Sequence, residues 1–599
     1  MVIIKRRKIL FLISEESDNF YKSIKIIKKL ISTGCDLTVI SLSVLTSMEL
    51  KKCQIDYKTP NFYMNKLDFD EIDKVSLKFA KNWYKPFENE IIYDGISLGE
   101  MLEYNFYFLF VDAIRCVEIG KEIFLSEKPD SIYLPLNLKM NDPNFLCYEA
   151  LPKVILSLSD QHNIQYIVPN SLNNENILHI TIPISNIIFN LFFNFYTKLV
   201  NYYQIYILPH LYRDVILFWN AYEYQAISGN LKILGYHTNR IYPFKVSNRF
   251  SVEKRSKINS FNIELENCNY SNINISYKGL DLAYILKNRI EEAFDEFEDL
   301  VEYLEWAKLF TRNFPQGVLI SMEDVTPIKR LIVRWFRINN LPSIIIQHGL
   351  VTKDMSGFGI MPIEANKQAV WGDYSLNWHI KRGNDAQVIT GNPVFDQISQ
   401  YKNRSKRETI IKKLRLDMNK KIILITTERF AGITSGYTIE DEEEKIRNTI
   451  KSLKNFVHQQ LIIKLHPGHQ DHYKRIIFNI SKEEDIDLII FTEHYWDLIF
   501  ICDVLITFTS TTGLEAMLFE KPVIIIGSED EVDCYTSHIM SIGVTDFDEL
   551  NSVIKDILYG KTFKNLFQLR DKLVYQSNYL NDGKASKRIA KLIIYELTT

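Results

Sequence analysis

Short apolar runs that alternate with longer amphipathic stretches are the feature that most constrains the fold of this chain. Within 386–527 the candidate strands are AQVITG, KKIILITTE, QLIIKLHP, IDLIIFTE, CDVLITFTS and KPVIIIG. Strands this rich in Val, Ile and Leu suit a sheet that is covered on both faces by helices. The pattern therefore predicts an α/β fold with doubly wound parallel sheets.

The same alternation occurs at 315–371 and again near the N-terminus. A chain of 599 residues is also longer than one hydrophobic core usually organises. We therefore expect two doubly wound, Rossmann-like domains that face a cleft. The predicted N-terminal domain spans 1–385 and is enlarged by a mainly helical insertion at about 175–310, and the predicted C-terminal domain spans 386–599.

Charge and cysteine usage exclude several classes of protein. The formal net charge of −3 provides no basic field for nucleic acid. The seven cysteines form no CxxC pair, which is typical of thiols in a reducing compartment. The N-terminal run ILFLIS is short and precedes acidic residues, so it indicates a first strand and not a signal peptide. We therefore expect a cytoplasmic protein.

One segment, PISNIIFNLFFNFYTKLVNYYQIYIL at 183–208, is long enough to be considered as a membrane helix. However, Asn186, Asn190, Asn194 and Lys198 recur every four residues and form a narrow polar stripe. Three interpretations remain open: a buried core helix, an interfacial membrane helix, and a membrane span, in that order of preference. An interfacial helix would place the chain at the inner face of the membrane as a peripheral protein.

A cluster of hydroxyl side chains follows the predicted strand DVLITF. The cluster and its glycine are Thr509, Ser510, Thr511, Thr512 and Gly513. Hydroxyls and backbone N–H groups at the start of a helix favour an anion site, and glycine permits close approach of a ligand. Glu515, one turn into the helix, could accept hydrogen bonds from a ribose. Simple helix capping is the alternative, although capping needs only one hydroxyl.

Four motifs in this chain resemble segments of GT-B-fold transferases. STTGLEAMLFEKPVI resembles their nucleotide-binding segment, in which a Ser/Thr/Gly turn holds the donor phosphates and a Glu holds the ribose. VITGNPVFDQI, at 388–398, resembles the interdomain stretch of non-hydrolysing UDP-N-acetylglucosamine 2-epimerases. IIIQHGL and KLHP resemble segments of capsule-polysaccharide glycosyltransferases and CDP-glycerol glycerophosphotransferases. The resemblance covers about 315–530.

The resemblance implies a metal-independent GT-B glycosyltransferase that needs no cofactor. Its donor would be a CMP-, CDP- or UDP-linked sugar, and its acceptor a glycan or glycolipid of capsule or lipopolysaccharide assembly. The chain has no DxD motif, and helix dipoles with basic groups can neutralise a departing diphosphate instead of a metal.

Three other activities remain open. A CDP-glycerol-type polyol-phosphate transferase would share the same site. A nucleotide-sugar 2-epimerase is less favoured, because Phe508 stands where those enzymes have an acidic residue before the Ser/Gly turn. A non-catalytic binding protein with a decayed site is the last alternative.

Further candidates for donor contact follow other predicted strands, at the edge where doubly wound sheets bind ligands. They are Gly391, Asn392, Thr427, Arg429, Lys464, His466 and Pro467. Among them, Arg429 could pair with a phosphate through two hydrogen bonds, although a solvated loop arginine is equally compatible with the pattern.

Three histidines at a spacing of three, His466, His469 and His472, suggest a metal site at first sight. Pro467 disfavours helix at His466, so the three side chains do not share one helical face. We therefore expect His466 to contact phosphate or nucleotide, with the other two in a loop, and we expect no metal.

Several side chains are candidates for the base that takes a proton from the attacking hydroxyl. His348 ends a predicted strand, and imidazole titrates in a suitable range. Glu15 and Glu16 follow the first predicted strand, where GT-B transferases often place a catalytic carboxylate or histidine. Glu323 and Asp324 are further choices. A purely structural histidine in the turn is the alternative for His348.

Overall fold

The computed structural model describes most of the chain in separate stretches. These are residues 7–14, 20–64, 68–134, 147–167, 199, 203, 214–243, 261, 273–313, 316–351, 363–381, 383, 385–427, 439–466, 471–508, 510–527, 541–560 and 570–599. The chain divides into two compact units. The first unit consists of Met1–Phe193, Val246–Glu302 and Phe430–Glu443, and the second of Asn194–Lys245, Tyr303–Arg429 and Glu444–Thr599.

The first unit contains a four-stranded parallel sheet. Its strands are β1 (Lys8–Ile13), β2 (Asp36–Ser41), β5 (Ser131–Tyr133) and β6 (Gln165–Ile167), in the spatial order β2-β1-β5-β6. Two short antiparallel pairs accompany it, β3 (Ile92–Tyr93) with β4 (Ile96–Ser97) and β9 (Ser276–Tyr277) with β10 (Leu280–Asp281).

The second unit contains two six-stranded sheets. The strands of the first large sheet are β7 (Asp214–Phe218), β8 (His237–Arg240), β11 (Gln316–Ser321), β12 (Ser343–Ile346), β13 (Lys367–Val370) and β14 (Gln387–Ile389), in the order β14-β13-β12-β11-β7-β8. All its neighbouring strands are parallel.

The second large sheet is also a six-stranded parallel sheet. Its strands are β15 (Ile422–Thr426), β16 (Gln460–Lys464), β17 (Ile489–Phe491), β18 (Val504–Thr507), β19 (Val523–Ile526) and β20 (Ile542–Val544), in the order β17-β16-β15-β18-β19-β20. Every neighbouring pair is parallel, and every residue of β15, β16, β18 and β19 is buried. The predicted α/β class with doubly wound parallel sheets is therefore confirmed.

Helices connect these strands throughout the described residues. In chain order they are α1 (Phe20–Ser32), α2 (Val44–Lys52), α3 (Phe69–Ala80), α4 (Leu98–Met101), α5 (Glu103–Glu127), α6 (Cys147–Gln161), α7 (Ala221–Ile233), α8 (Leu282–Ile285), α9 (Lys287–Asn313), α10 (Pro327–Ile338), α11 (Asp373–Ile380), α12 (Asp396–Arg404), α13 (Arg407–Lys413), α14 (Ile439–Ser452), α15 (Asp471–Glu484), α16 (Tyr495–Ile501), α17 (Thr512–Leu518), α18 (Phe547–Tyr559), α19 (Arg570–Asn578) and α20 (Ala585–Thr598). Single turns of 3₁₀ helix lie at Pro60–Tyr63 and Lys454–Phe456, and a longer one at Lys85–Ile91.

Hydrophobic spacing explains how these helices dock. In α1, Phe20, Ile24 and Ile27 lie on one face because they are three and four residues apart, and they pack with Phe11 of β1 and Val39 of β2. The C-terminal helix α20 likewise buries an apolar face against the first large sheet, which brings the end of the chain back across the second unit.

The compact units differ from the predicted division after residue 385, because both large sheets lie in the second unit. The segment 175–310, predicted to be mainly helical, also supplies β7 and β8, the two strands at one side of the first large sheet. The run AQVITG, assigned to the C-terminal domain from the sequence, forms β14 and pairs with β13 of that same sheet. Local pattern identified β14 but neither β7 nor β8, and the partners of all three strands depend on contacts that are distant in sequence.

Among the helices of the described stretches, none combines the length and apolar character needed to cross a membrane. Of the segment 183–208, only Leu199 and Tyr203 are described, so its three interpretations remain predictions.

Candidate active site

Three predicted donor-binding residues meet at the carboxyl edge of the second large sheet. The backbone N–H of His466 donates a hydrogen bond to Thr427 Oγ1 at 2.9 Å. The N–H of Thr427 in turn donates to the Lys464 carbonyl at 3.1 Å. Parallel strands β15 and β16 are neighbours, so the residues that follow them lie side by side.

Lys464 is a buried cation at this edge, with 5% of its surface exposed. Its Nζ donates to the Leu465 carbonyl at 2.5 Å and lies 5.9 Å from the centre of the Tyr495 ring. Desolvation by burial lowers its pKa, and no carboxylate within the described stretches pairs with it. A buried ammonium without an acidic partner is costly, and an anionic ligand would offset that cost.

The hydroxyl turn after β18 is arranged differently from the expected phosphate cradle. Ser510 Oγ lies 3.0 Å from Thr512 Oγ1 and accepts from the Thr512 N–H at 3.3 Å. The Gly513 N–H donates to the Ser510 carbonyl at 3.1 Å. These two amides are therefore engaged within the turn, and the Ser510, Thr511 and Thr512 hydroxyls are the groups that could meet a ligand.

Thr511 joins this turn to the first large sheet. The N–H of Leu350 donates to Thr511 Oγ1 at 3.2 Å. Leu350 follows β12 and lies two residues after His348, so the carboxyl edges of the two large sheets meet here. This contact brings the predicted base-bearing turn beside the predicted donor-binding turn.

Glu515 is buried inside an aromatic cage. Its Oε1 accepts from the Tyr495 hydroxyl at 3.0 Å, and its Oε2 accepts from Trp496 Nε1 at 2.7 Å. Burial raises the pKa of Glu515 to about 7, although both hydrogen bonds favour the charged form. The sequence prediction missed Tyr495 and Trp496, since aromatic residues at the start of a helix usually indicate core packing.

His348 lines a pocket at the carboxyl edge of the first large sheet. The residue is exposed, yet desolvation by surrounding protein atoms lowers the pKa of its imidazole below the ordinary value of 6.5. A hydrogen bond to the Met322 backbone and the charge of Glu323 raise this pKa, but by less than desolvation lowers it. The imidazole is thus mainly neutral at pH 7, as a proton acceptor must be.

The other carboxylate candidates near His348 are engaged in structural contacts. Glu323 accepts from the N–H groups of Val325 and Thr326 and from Lys329 Nζ, which together lower its pKa. Asp324 Oδ2 accepts from two backbone N–H groups, Glu364 at 2.7 Å and Ala365 at 3.1 Å. Burial nevertheless raises the pKa of Asp324 to about 6.

Gly391 and Asn392 contact the C-terminal segment of the chain. Gly391 has φ +80°, and a Cβ added there would lie 3.2 Å from Ala585 Cβ. The Asn392 N–H donates to Asn578 Oδ1 at 2.8 Å, and its own Oδ1 accepts from the Val394 N–H. Both predicted donor contacts thus lie in a joint with the region around α19 and α20, and their contact with a donor remains a prediction.

Several predicted residues lie outside the described residues: Glu15, Glu16, Arg429, Pro467, His469 and Thr509. Their predicted roles remain predictions. His472 lies in α15. Across the described stretches, no group of three or more His, Cys, Asp or Glu side chains is placed to hold a metal ion.

Residues 377–595 match the family model of CDP-glycerol:poly(glycerophosphate) glycerophosphotransferases. The match spans three of the four motifs that carried the predicted resemblance, VITGNPVFDQI, KLHP and STTGLEAMLFEKPVI, and it begins after IIIQHGL. The predicted resemblance to this family is therefore confirmed over that range. No curated protein matches the chain.

Several solved structures are similar to the chain. Staphylococcus aureus MnaA, in a co-structure with UDP, is 16% identical, with 65% of this chain and 97% of that chain covered and a TM-score of 0.41. A UDP-N-acetylglucosamine 2-epimerase from Listeria monocytogenes is 15% identical, with 64% and 97% covered and a TM-score of 0.41. The wall teichoic acid polymerase TagF is 12% identical, with 64% and 89% covered and a TM-score of 0.37.

Proposed function

We propose that this chain transfers a group from a nucleotide-activated donor to the growing end of a cell-surface polymer. The donor is a CDP-, CMP- or UDP-linked compound that binds at the carboxyl edge of the second large sheet. The observation that carries this proposal is the buried ammonium of Lys464 beside Thr427 and His466. A donor phosphate would supply the anion that this lysine lacks, and it would accept hydrogen bonds from the neighbouring hydroxyls.

The acceptor is activated from the other sheet. His348 is mainly neutral at pH 7, and its turn is fastened to the donor-binding turn by the bond between Leu350 and Thr511. A donor group seated near Ser510 would therefore lie close to a proton acceptor, which is what transfer to a hydroxyl requires.

Two transferred groups fit the same site, and the family match over 377–595 favours the first, a polyol phosphate. In that reaction an acceptor hydroxyl oxygen bonds to the outer phosphorus of the donor and the bond to the bridging oxygen breaks. The nucleoside monophosphate leaves with the electron pair, and His348 takes the hydroxyl proton. Glycosyl transfer is the expectation that ranked first from the sequence. There the oxygen bonds instead to the anomeric carbon, the bond from that carbon to the donor phosphate oxygen breaks, and the nucleotide leaves with the electron pair while His348 takes the hydroxyl proton.

Product analysis distinguishes these reactions. The full chain is incubated with CDP-glycerol, or with CMP- or UDP-linked sugars, and with a short glycerol phosphate oligomer as acceptor. Mass spectrometry is expected to show the oligomer extended by one glycerol phosphate, with release of CMP. Extension by a sugar would identify a glycosyltransferase. Donor consumption without any extended acceptor would contradict transfer and favour an epimerase.

The proposal extends to metal independence, because Lys464 supplies positive charge where the donor phosphates would lie. Transfer is then expected to continue unchanged in a chelator such as EDTA, and loss of activity that Mg²⁺ restores would contradict this.

The proposal also extends to contact with the membrane face, where capsule or lipopolysaccharide precursors would be assembled, through the apolar residues in the sequence of 183–208. The full chain is expected to float with vesicles of phosphatidylethanolamine and phosphatidylglycerol, and the double variant Ile188→Asp/Phe192→Asp to remain unbound. Equal behaviour of the two proteins would contradict membrane contact through this segment.

A further inference from the structure

The pocket beside His348 is lined by polar and aromatic side chains that do not belong to the proposed donor site. Its volume is about 70 Å³, and its lining includes Asp324, Gln368 and Trp378. One water needs roughly 10–15 Å³ of such volume, counted as the space open to the centre of a water-sized sphere, so the pocket has room for about five waters. It therefore accommodates a ligand of the size of a three-carbon polyol.

Two buried polar side chains line the pocket with bonding capacity to spare. Asp324 is 4% exposed and uses only Oδ2 for the backbone N–H groups of Glu364 and Ala365. Gln368 is 8% exposed, and its Oε1 accepts from Gln387 Nε2 at 3.2 Å. Within the described residues, Asp324 Oδ1 therefore remains as an acceptor and Gln368 Nε2 as a donor. Buried polar groups usually find partners, and a ligand with hydroxyl groups would supply both.

The charge of the lining selects against an anion. Lys329 compensates the charge of Glu323 at 2.6 Å, so Asp324 supplies the negative charge of the lining, and no lysine or arginine among the described residues lines it. The remaining wall is largely apolar, with Val325, Ile345 and Trp378 among its members. Carboxylate and amide groups beside an aromatic wall suit a neutral polyol, which carries hydroxyls along its edges and C–H groups on its faces.

We propose that this pocket binds a neutral polyhydroxyl group, the terminal unit of the acceptor, through Asp324 and Gln368, and excludes its phosphorylated counterpart. The assignment of this unit to the acceptor rests on the proposed function, because His348 would take the proton from one of its hydroxyls. The charged and uncharged parts of the substrates would then bind at different places in the site. Phosphate binds at the Lys464 edge, and the uncharged end of the polymer binds beside His348.

The test measures binding directly and needs no catalysis. Saturation-transfer NMR on the full chain is titrated with glycerol and, separately, with glycerol 3-phosphate. Wild type is expected to bind glycerol more tightly than glycerol 3-phosphate. Gln368→Leu removes the donor in the pocket and is expected to weaken glycerol binding about fivefold, the effect of losing one hydrogen bond.

Gln387→Leu is the matched control. It breaks the same bond between the two glutamines but lies outside the lining, so glycerol binding should remain as in wild type. If Gln368→Leu lowers the thermal midpoint, Gly349→Val provides a second probe, since a Cβ at Gly349 has nothing within 4 Å and the added bulk would fill the pocket.

Three results would overturn this assignment: no glycerol binding by wild type, equal loss in Gln368→Leu and Gln387→Leu, or preference for glycerol 3-phosphate. Titration with CDP in the same samples reports on the donor edge alone. CDP binding without glycerol binding would therefore reject the polyol pocket and leave the proposed function standing. Failure of CDP to bind would reject the proposed donor.

Discussion

The backbone N–H of Leu350 donates a hydrogen bond to Thr511 Oγ1 across the carboxyl edges of the two large sheets. Leu350 belongs to the turn that carries His348, and Thr511 to the turn that carries Ser510. Because these turns follow strands of different sheets, the bond fixes the proposed proton acceptor relative to the proposed donor site.

Thr511→Val tests this link. The valine leaves the Leu350 N–H without its acceptor, which costs about 1–3 kcal/mol. A displaced turn would misplace His348, so we expect kcat to fall about tenfold or more. Thr511→Ser keeps the hydroxyl and serves as the control in the same steady-state assay. Equal activity of the two variants would show that the bond does not position the site.

His348→Ala is expected to lower kcat by about 10²–10⁴-fold, the usual contribution of a general base. The pKa of His348 lies below 6.5, so the imidazole is neutral above that pKa and becomes charged as the pH falls through it. The wild-type rate should therefore decline only below pH 6.5, and this decline should be absent from the residual rate of the variant. An acidic limb centred above pH 6.5, or one retained by the variant, would assign the base elsewhere.

Glu515 makes stability depend on pH. Its pKa in the folded chain is about 7, above the ordinary value of 4.5, so folding favours the protonated form. This contribution is complete below pH 4.5 and is lost as the pH rises through 7. The thermal midpoint of wild type should therefore fall relative to that of Glu515→Gln between pH 4.5 and 7. Parallel curves for the two proteins would contradict the raised pKa.

Gly391→Ala tests the joint with the C-terminal segment. The substitution places a Cβ at φ +80° and 3.2 Å from Ala585 Cβ, so backbone strain and overpacking act together. Gly383→Ala is the matched control, because Gly383 has φ +77° but nothing within 4 Å of an added Cβ. We expect a clearly larger drop in thermal midpoint for Gly391→Ala. Similar drops in thermal midpoint for the two variants would show that the close contact with α20 does not contribute to the destabilisation.

Local patterns predicted the second large sheet well. The run KKIILITTE predicted β15, and CDVLITFTS predicted β18, because buried parallel strands leave an uninterrupted apolar signal. Sheet membership was harder to predict. DVILF, in the segment predicted to be mainly helical, forms β7, and QVI forms β14. Both join the first large sheet through pairings with strands distant in sequence, and no local pattern specifies those partners.

In the candidate site, too, some residues could be predicted from local sequence and others could not. Thr427, Lys464 and His466 were predicted together from one rule, that ligands bind at the carboxyl edge of a doubly wound sheet. The cage of Tyr495 and Trp496 around Glu515 was not predicted, because their position at the start of α16 is also typical of core residues. The close contact between Leu350 and Thr511 depends on how two sheets pack, and the sequence carries no local signal for it.

Binding of CDP and UDP to Lys464→Met, measured by isothermal titration, tests the central claim most directly. Methionine keeps the apolar stem of the side chain and removes its charge. Lys421→Met is the control, since Lys421 pairs with Asp503 at the opposite end of the sheet. We predict that wild type binds at least one of the two nucleotides, that Lys464→Met weakens this binding about tenfold or more, and that Lys421→Met leaves it unchanged. Binding of neither nucleotide by wild type, or unaltered binding by Lys464→Met, would contradict a donor site at this edge.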